Sequence, residues 1–130
     1  MELPEDLKYT REHEWIAIAG GVATIGITDH AQESLGEVVF VELPGVADTV
    51  ERGGPFGVVE STKAASDVYS PLNGTVLEVN DDLPQSPQLI NEDPYGDGWM
   101  VKIKIAAGED LGSFMTAAEY AAFLEDEAGS

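Results

Sequence analysis

Short apolar stretches rich in β-branched and aromatic residues, each closed by a glycine, proline or asparagine turn, make up most of the chain as far as Ile105. Residues 15–19 (WIAIA) and 22–27 (VATIGI) read as a strand and its return, because Gly20-Gly21 between them supplies the positive φ values of a tight hairpin. Leu7-Lys8-Tyr9 opens the ordered part. Residues 37–43 (EVVFVEL) are the strongest strand signal and end at Pro44-Gly45. A polar connection over 46–55 follows, with Val50 as its inward residue. Residues 56–61 then lead to a hairpin tip, with Val68-Tyr69-Ser70 as the return partner. Asn73-Gly74 marks a further turn before an alternating strand at 75–80, and residues 99–105 (WMVKIKI) alternate as a half-buried strand with Lys102 and Lys104 toward solvent.

Helical signals are fewer. Asp29 with Gln32 has the spacing of a capping box, predicting a short helix over 29–35 stopped by Gly36. Ser86 followed by Pro87 predicts a turn of helix in the proline-rich loop that follows residue 80, and 108–115 has room for another. Thr116 with Glu119 repeats the capping-box spacing, and Tyr120, Phe123 and Leu124 share one face of a helix from about 117 to about 126. The pattern predicts an all-β core with peripheral short helices. It forms a single domain over 1–130, with a β core at about 7–105 and a C-terminal helical segment at about 109–126.

Composition supports an ordinary core and an unusual surface. Of 130 residues 43% are hydrophobic, enough for a packed domain, yet 25 Asp and Glu oppose only 6 Lys and Arg for a net charge of −19. Such a surface repels nucleic acid and anionic lipid, and it favours basic patches on partner proteins; the charge also serves solubility alone. No cysteine is present, so redox sulfur would have to be attached. The N-terminal residues lack the pattern of a signal peptide, and no apolar run approaches membrane-spanning length, which makes a soluble internal compartment the expectation.

Candidate chemistry is sparse. His13 lies between Glu12 and Glu14 but lacks a second histidine at helical spacing, and His30 stands alone on its helix, so no metal site is expected. Neither a nucleophile elbow nor a phosphate-cradling glycine loop occurs. Lys63 is the only basic residue between Arg52 and Lys102, and small neighbours at Thr62, Ala64 and Ala65 leave its amine open on a strand-supported tip. A modifying enzyme could read a lysine held in that fixed frame.

Residues 60–71 (ESTKAASDVYSP) resemble the lipoyl-attachment hairpin of the glycine cleavage system H proteins. Residues 9–15 (YTREHEW), 25–35 (IGITDHAQESL), 36–44 (GEVVFVELP), 91–98 (NEDPYGDG) and 99–104 (WMVKIK) are similar to that family in the same order. Thr62 stands where many members carry valine.

The resemblance implies a barrel-sandwich hybrid of two small sheets, with lipoic acid in amide linkage to Lys63 at a tight turn. Glu60 and Gly74 would occupy positions that lipoate attachment enzymes read. Glu14 and Asp67, with Glu12 nearby, would contact the loaded arm in a cleft floored by Ile27, Ala31 and Leu35. The chain would be a carrier, not an enzyme. It would take an aminomethyl group from a pyridoxal-phosphate glycine decarboxylase (P protein) to a tetrahydrofolate-dependent aminomethyltransferase (T protein), with dihydrolipoamide dehydrogenase (L protein) restoring the disulfide. A monomer in the bacterial cytoplasm is expected, or in the mitochondrial matrix for a mature organellar form. The rivals are an H-like protein relaying lipoyl groups to other complexes and, remotely, a small acid/base enzyme using Glu12, His13 and Glu14.

Overall fold

The first hairpin forms as its turn residues require: Gly20 and Gly21 take φ of 58° and 79°, joining β2 (Glu14–Ala19) to β3 (Val22–Ile27). The computed structural model describes residues 2–129. Upstream, β1 (Lys8–Tyr9) pairs with β2, with Tyr9 opposite Trp15. A helix, α1 (Asp29–Leu35), then leads to β4 (Val38–Glu42). After β5 (Thr49–Val50) come β6 (Pro55–Ser61), β7 (Ala65–Tyr69) and β8 (Gly74–Val79). Two helical turns, α2 (Asp82–Gln85) and α3 (Leu89–Glu92), precede β9 (Val101–Ile105), and α4 (Ala117–Gly129) closes the chain.

Among the described residues the strands form two antiparallel sheets, in the orders β1-β2-β3-β9-β8-β5 and β4-β6-β7. This is the mainly β architecture with short helices that the pattern predicted. Its main core, which includes Ile16, Ile25, Val59, Leu72, Met100 and Ile103, draws on both sheets. Burying these side chains stabilises the fold by roughly 1.5–3 kcal/mol each before conformational entropy is counted. A second cluster unites Tyr9, Trp15 and Tyr120, with the Tyr9 and Tyr120 rings stacked at 4.8 Å. It holds α4 against the edge of the larger sheet.

Several local expectations need correction. The N-cap of α1 is Thr28, whose side chain accepts from the Ala31 N–H, while Asp29 is the first helical residue and accepts from the Gln32 amide at 2.7 Å. The Asp29–Gln32 pair is therefore a side-chain link one position inside the cap. Ser86 terminates α2 instead of starting a helix, and its N–H donates to Asp82 O. The next helix begins at Leu89 without a side-chain cap. The segment 108–115 is irregular, and Met115 at its end exchanges its N–H and C=O with Tyr9, each at 2.9 Å. By contrast the Thr116–Glu119 box forms reciprocally, at 2.9 and 3.2 Å, and α4 runs past the expected 126 to Gly129. Lys104 is exposed as expected, but Lys102 is only half-exposed because its ammonium lies 5.3 Å from the Trp99 ring centre.

Candidate functional site

The β6–β7 hairpin is tighter than the residue pattern suggested, with Glu60 paired to Ala65 and only residues 62–64 outside the strands. Ser61 builds the tip. Its N–H donates to Ala64 O at 2.7 Å, and its Oγ accepts from the N–H groups of Lys63 and Ala64, both at 3.1 Å. A hydroxyl satisfying the backbone of the next turn residues is the reason serine suits this position. The Thr62 N–H donates to Glu37 O at 3.1 Å, which ties the tip to the segment just before β4. Lys63 is thus exposed on a frame fixed from two sides.

The lysine side chain runs toward α1. A Cβ placed on Gly36, the residue capping that helix, would lie 3.2 Å from Lys63 Cε and 3.7 Å from its Nζ. Ala31, Ser34 and Leu35 of α1 line a cavity of about 270 Å³. Ile27 at the end of β3 and Ser66, Asp67 and Val68 of β7 close other sides, and Glu12, His13 and Glu14 complete it. The structure therefore brings Glu12, Glu14, Asp67, Ile27, Ala31 and Leu35 together around one depression. Ile27 is buried, Ala31 and Leu35 half-buried, and Glu12 and Asp67 exposed.

Glu14 differs from the other acids. It is buried at 2% exposure, and it bridges the two sheets, one carboxyl oxygen accepting from Thr10 Oγ at 3.1 Å and the other from the Tyr69 N–H at 3.0 Å. β7 is an edge strand, so Glu14 satisfies a backbone donor that its own sheet leaves open. Burial pushes the carboxyl up to about 7; the hydrogen bonds from Thr10 and Tyr69 oppose the rise, and the charge of Glu12 adds to it. The site therefore holds an acid poised to change charge near neutrality.

Glu60 lies half-buried in the middle strand of the smaller sheet, opposite Phe40 and Ala65. Gly74 lies in the other sheet, where it pairs with Val50 and Ile105. A Cβ there would collide with the Lys104 carbonyl oxygen and meet Ile103 Cγ2 at 2.5 Å, so close packing alone accounts for a glycine.

Residue patterns passed over the role of Ser61 and the pairing of His13 with His30. Ser61 had a usable signal, a serine preceding small turn residues. The histidine pair had none, because the fold brings together a loop and a helix. The two ring centres lie 4.6 Å apart, so His30, the one histidine of its helix, meets the other histidine across the fold. Burial and the neighbouring His30 hold His13 below the usual imidazole value, against the opposing pull of Glu127 and Glu12.

Comparison with known proteins bears on this geometry. A family model described as "Glycine cleavage H-protein" matches residues 7–127. Among curated relatives, the glycine cleavage system H protein of Carboxydothermus hydrogenoformans is 55% identical over 125 residues, covering 96% of each chain. That of Rubrobacter xylanophilus is 56% identical over 126 residues, covering 97% of this chain and 98% of the relative. A crystal structure of a glycine cleavage system H protein from Mycobacterium marinum superposes with a TM-score of 0.86 at 43% identity, over 94% of this chain and 98% of the other.

Proposed function

The chain belongs to the glycine cleavage H-protein family, and from that premise we propose that it is a lipoyl-bearing carrier that moves an aminomethyl group between partner enzymes. The observation that carries the reading is the exposed Lys63 lying over Gly36, at the C-terminal end of the helix that walls the Glu12–Glu14–Asp67 cavity. When bound, the lipoyl group supplies a redox-active dithiol that accepts and releases the aminomethyl unit.

This chain's residues fit such a group. Lys63 offers an open amine for amide formation, and an extended lysyl–lipoyl length of about 12 Å would let the arm reach past Gly36 toward the cavity that neighbouring Leu35 lines. Glu14 and Asp67, with Glu12 at the rim, offer carboxylates to a cationic amine on the arm's cargo. A charge-assisted hydrogen bond there gains strength as solvent is excluded. Ile27, Ala31 and Leu35 would supply apolar contact to the arm's aliphatic stem.

Glu60 and Gly74 complete the proposal as positions read by lipoate attachment enzymes, Gly74 acting through the close approach of β8 and β9. The chain itself has no catalytic step. Glycine decarboxylase, the aminomethyltransferase and dihydrolipoamide dehydrogenase supply the chemistry, and the chain's net charge of −19 offers them a face for basic docking patches. Among the described residues no helix is long and apolar enough to cross a membrane.

Intact-mass measurement after expression with added lipoate tests the assignment. The wild-type chain is expected to gain one lipoyl increment, and Lys63→Arg, which keeps the charge, to gain none. An increment that survives Lys63→Arg, or none on the wild type beside a lipoylated control protein, would overturn it.

A further inference from the structure

We propose that His13, His30 and Glu127 form a binding site for one zinc-class divalent ion, built where the loop before β2, helix α1 and the end of helix α4 meet. One ligand atom from each residue lies within 4.8 Å of the others. The His13 Nε2 to Glu127 Oε1 separation is 3.4 Å. Tetrahedral zinc with bonds of about 2.0–2.1 Å sets its ligands about 3.4 Å apart, so this pair already has the spacing of two ligands. His13 and His30 lie at half-exposed positions and Glu127 at an exposed one, which leaves their side chains room to close the remaining distances.

Three further features orient the site. His13 is one of two non-glycine residues with positive φ, at 67°, among those described, and that backbone projects its ring between α1 and α4. Its Nδ1 is engaged by the Tyr120 hydroxyl at 2.8 Å, which also meets Thr28 Oγ at 2.8 Å. The other ring nitrogen is thereby left facing Glu127. A ligating histidine whose second nitrogen is fixed by an outer partner is the usual arrangement around bound metal, and here that partner is itself anchored to the cap of α1.

Two imidazoles and one carboxylate select zinc, cobalt or nickel over calcium and magnesium, which take oxygen ligands. Three protein ligands leave a fourth position for water or another donor. His13 and His30 also line the 270 Å³ cavity, so a bound ion borders it and joins α4 to its wall.

The test must separate this cluster from the many surface carboxylates. Full-length unlipoylated protein, freed of metal by chelator, is titrated with Zn²⁺ by calorimetry and with Co²⁺ by visible absorption, both in excess Ca²⁺ to occupy carboxylate-only sites. One equivalent is expected to bind, with a tetrahedral-type Co²⁺ band and perturbed imidazole NMR signals. His30→Gln and Glu127→Gln should each weaken binding on the order of tenfold or more. His13→Asn, an exchange that tolerates positive φ, should do the same, which keeps the result independent of any single variant's folding. Binding unchanged in His30→Gln and His13→Asn, or abolished by Ca²⁺, would mean surface carboxylates only and would overturn the site.

Discussion

The tip that carries Lys63 and the cavity wall facing it are built in opposite ways. The tip is local: the backbone between Ser61 and Ala64 is held by one serine and one adjacent strand pair, and apart from the Thr62 N–H to Glu37 contact its bonds span at most three residues. The wall is assembled from distant pieces. Glu14 reaches Tyr69 across 55 positions, and Tyr120 reaches Thr28 across 92. On the proposed reading an attachment point stays open to a modifying enzyme, whereas the wall sets buried Glu14 beside exposed Glu12 and Asp67. The first needs only a turn and the second needs a core.

The contrast is sharpest in what each region costs the fold. Glu14 has its carboxyl raised from 4.5 to about 7 by burial, so folding disfavours its charged form. The neutral acid is fully tolerated below about pH 4.5, and this contribution to stability is lost as pH rises through about 7. Glu14→Gln keeps the shape and can still accept from Tyr69 and bond Thr10. It is expected to raise unfolding stability by roughly 3 kcal/mol at pH 8, shrinking toward zero near pH 4, because each tenfold change in proton affinity between unfolded and folded chain is worth about 1.4 kcal/mol. Urea unfolding at both pH values measures it. A gain independent of pH would break the link between burial and charge at this wall. The same variant should shorten the lifetime of an aminomethyl-loaded arm while leaving lipoylation of Lys63 intact, which separates wall from tip in one protein.

Tyr120 probes the same wall from behind with a smaller effect. Its hydroxyl joins His13 and Thr28, each at 2.8 Å, while its ring stacks on Tyr9. Tyr120→Phe retains the stack and removes the shared oxygen, leaving Thr28 and His13 to find other partners, for about 2 kcal/mol of lost stability. Guanidinium unfolding reads the loss, and a change below about 0.5 kcal/mol would assign the anchoring of α4 to ring packing alone.

How much could be read from residue order follows the same division. Paired glycines placed the first hairpin, the Thr116–Glu119 box placed the start of α4, and the small residues around Lys63 marked the tip, because each signal is complete within a few positions. Contacts made from afar were invisible. Met115 exchanges both backbone groups with Tyr9. The meeting of His13 with His30 likewise depends on packing that no spacing encodes. Similarity to a family supplied Glu14 and Asp67 together; residue chemistry alone had left them among many acids. Gly74 illustrates the remaining ambiguity of a single letter: a collision with the Lys104 carbonyl explains the glycine without reference to any enzyme.

The smallest expected effect lies at the tip. Ser61 Oγ accepts from two backbone N–H groups and also donates to Ala64 O at 3.2 Å, yet all these groups are close to solvent. In Ser61→Ala, water replaces the lost partner, so stability should fall by only about 0.5–1 kcal/mol, well below the effect of altering Glu14 or Tyr120. The turn backbone would nevertheless sample more conformations, and a modifying enzyme that reads a fixed frame would meet the productive one less often. Lipoylation of Lys63 is therefore expected to slow by a few-fold, at the cost of well under the free energy that separates folded from unfolded protein. Following the lipoyl mass increment over time in wild type and Ser61→Ala, together with urea unfolding of both, gives the two numbers. A large stability loss with an unchanged rate would show that the tip, like the wall, is built mainly to hold the fold.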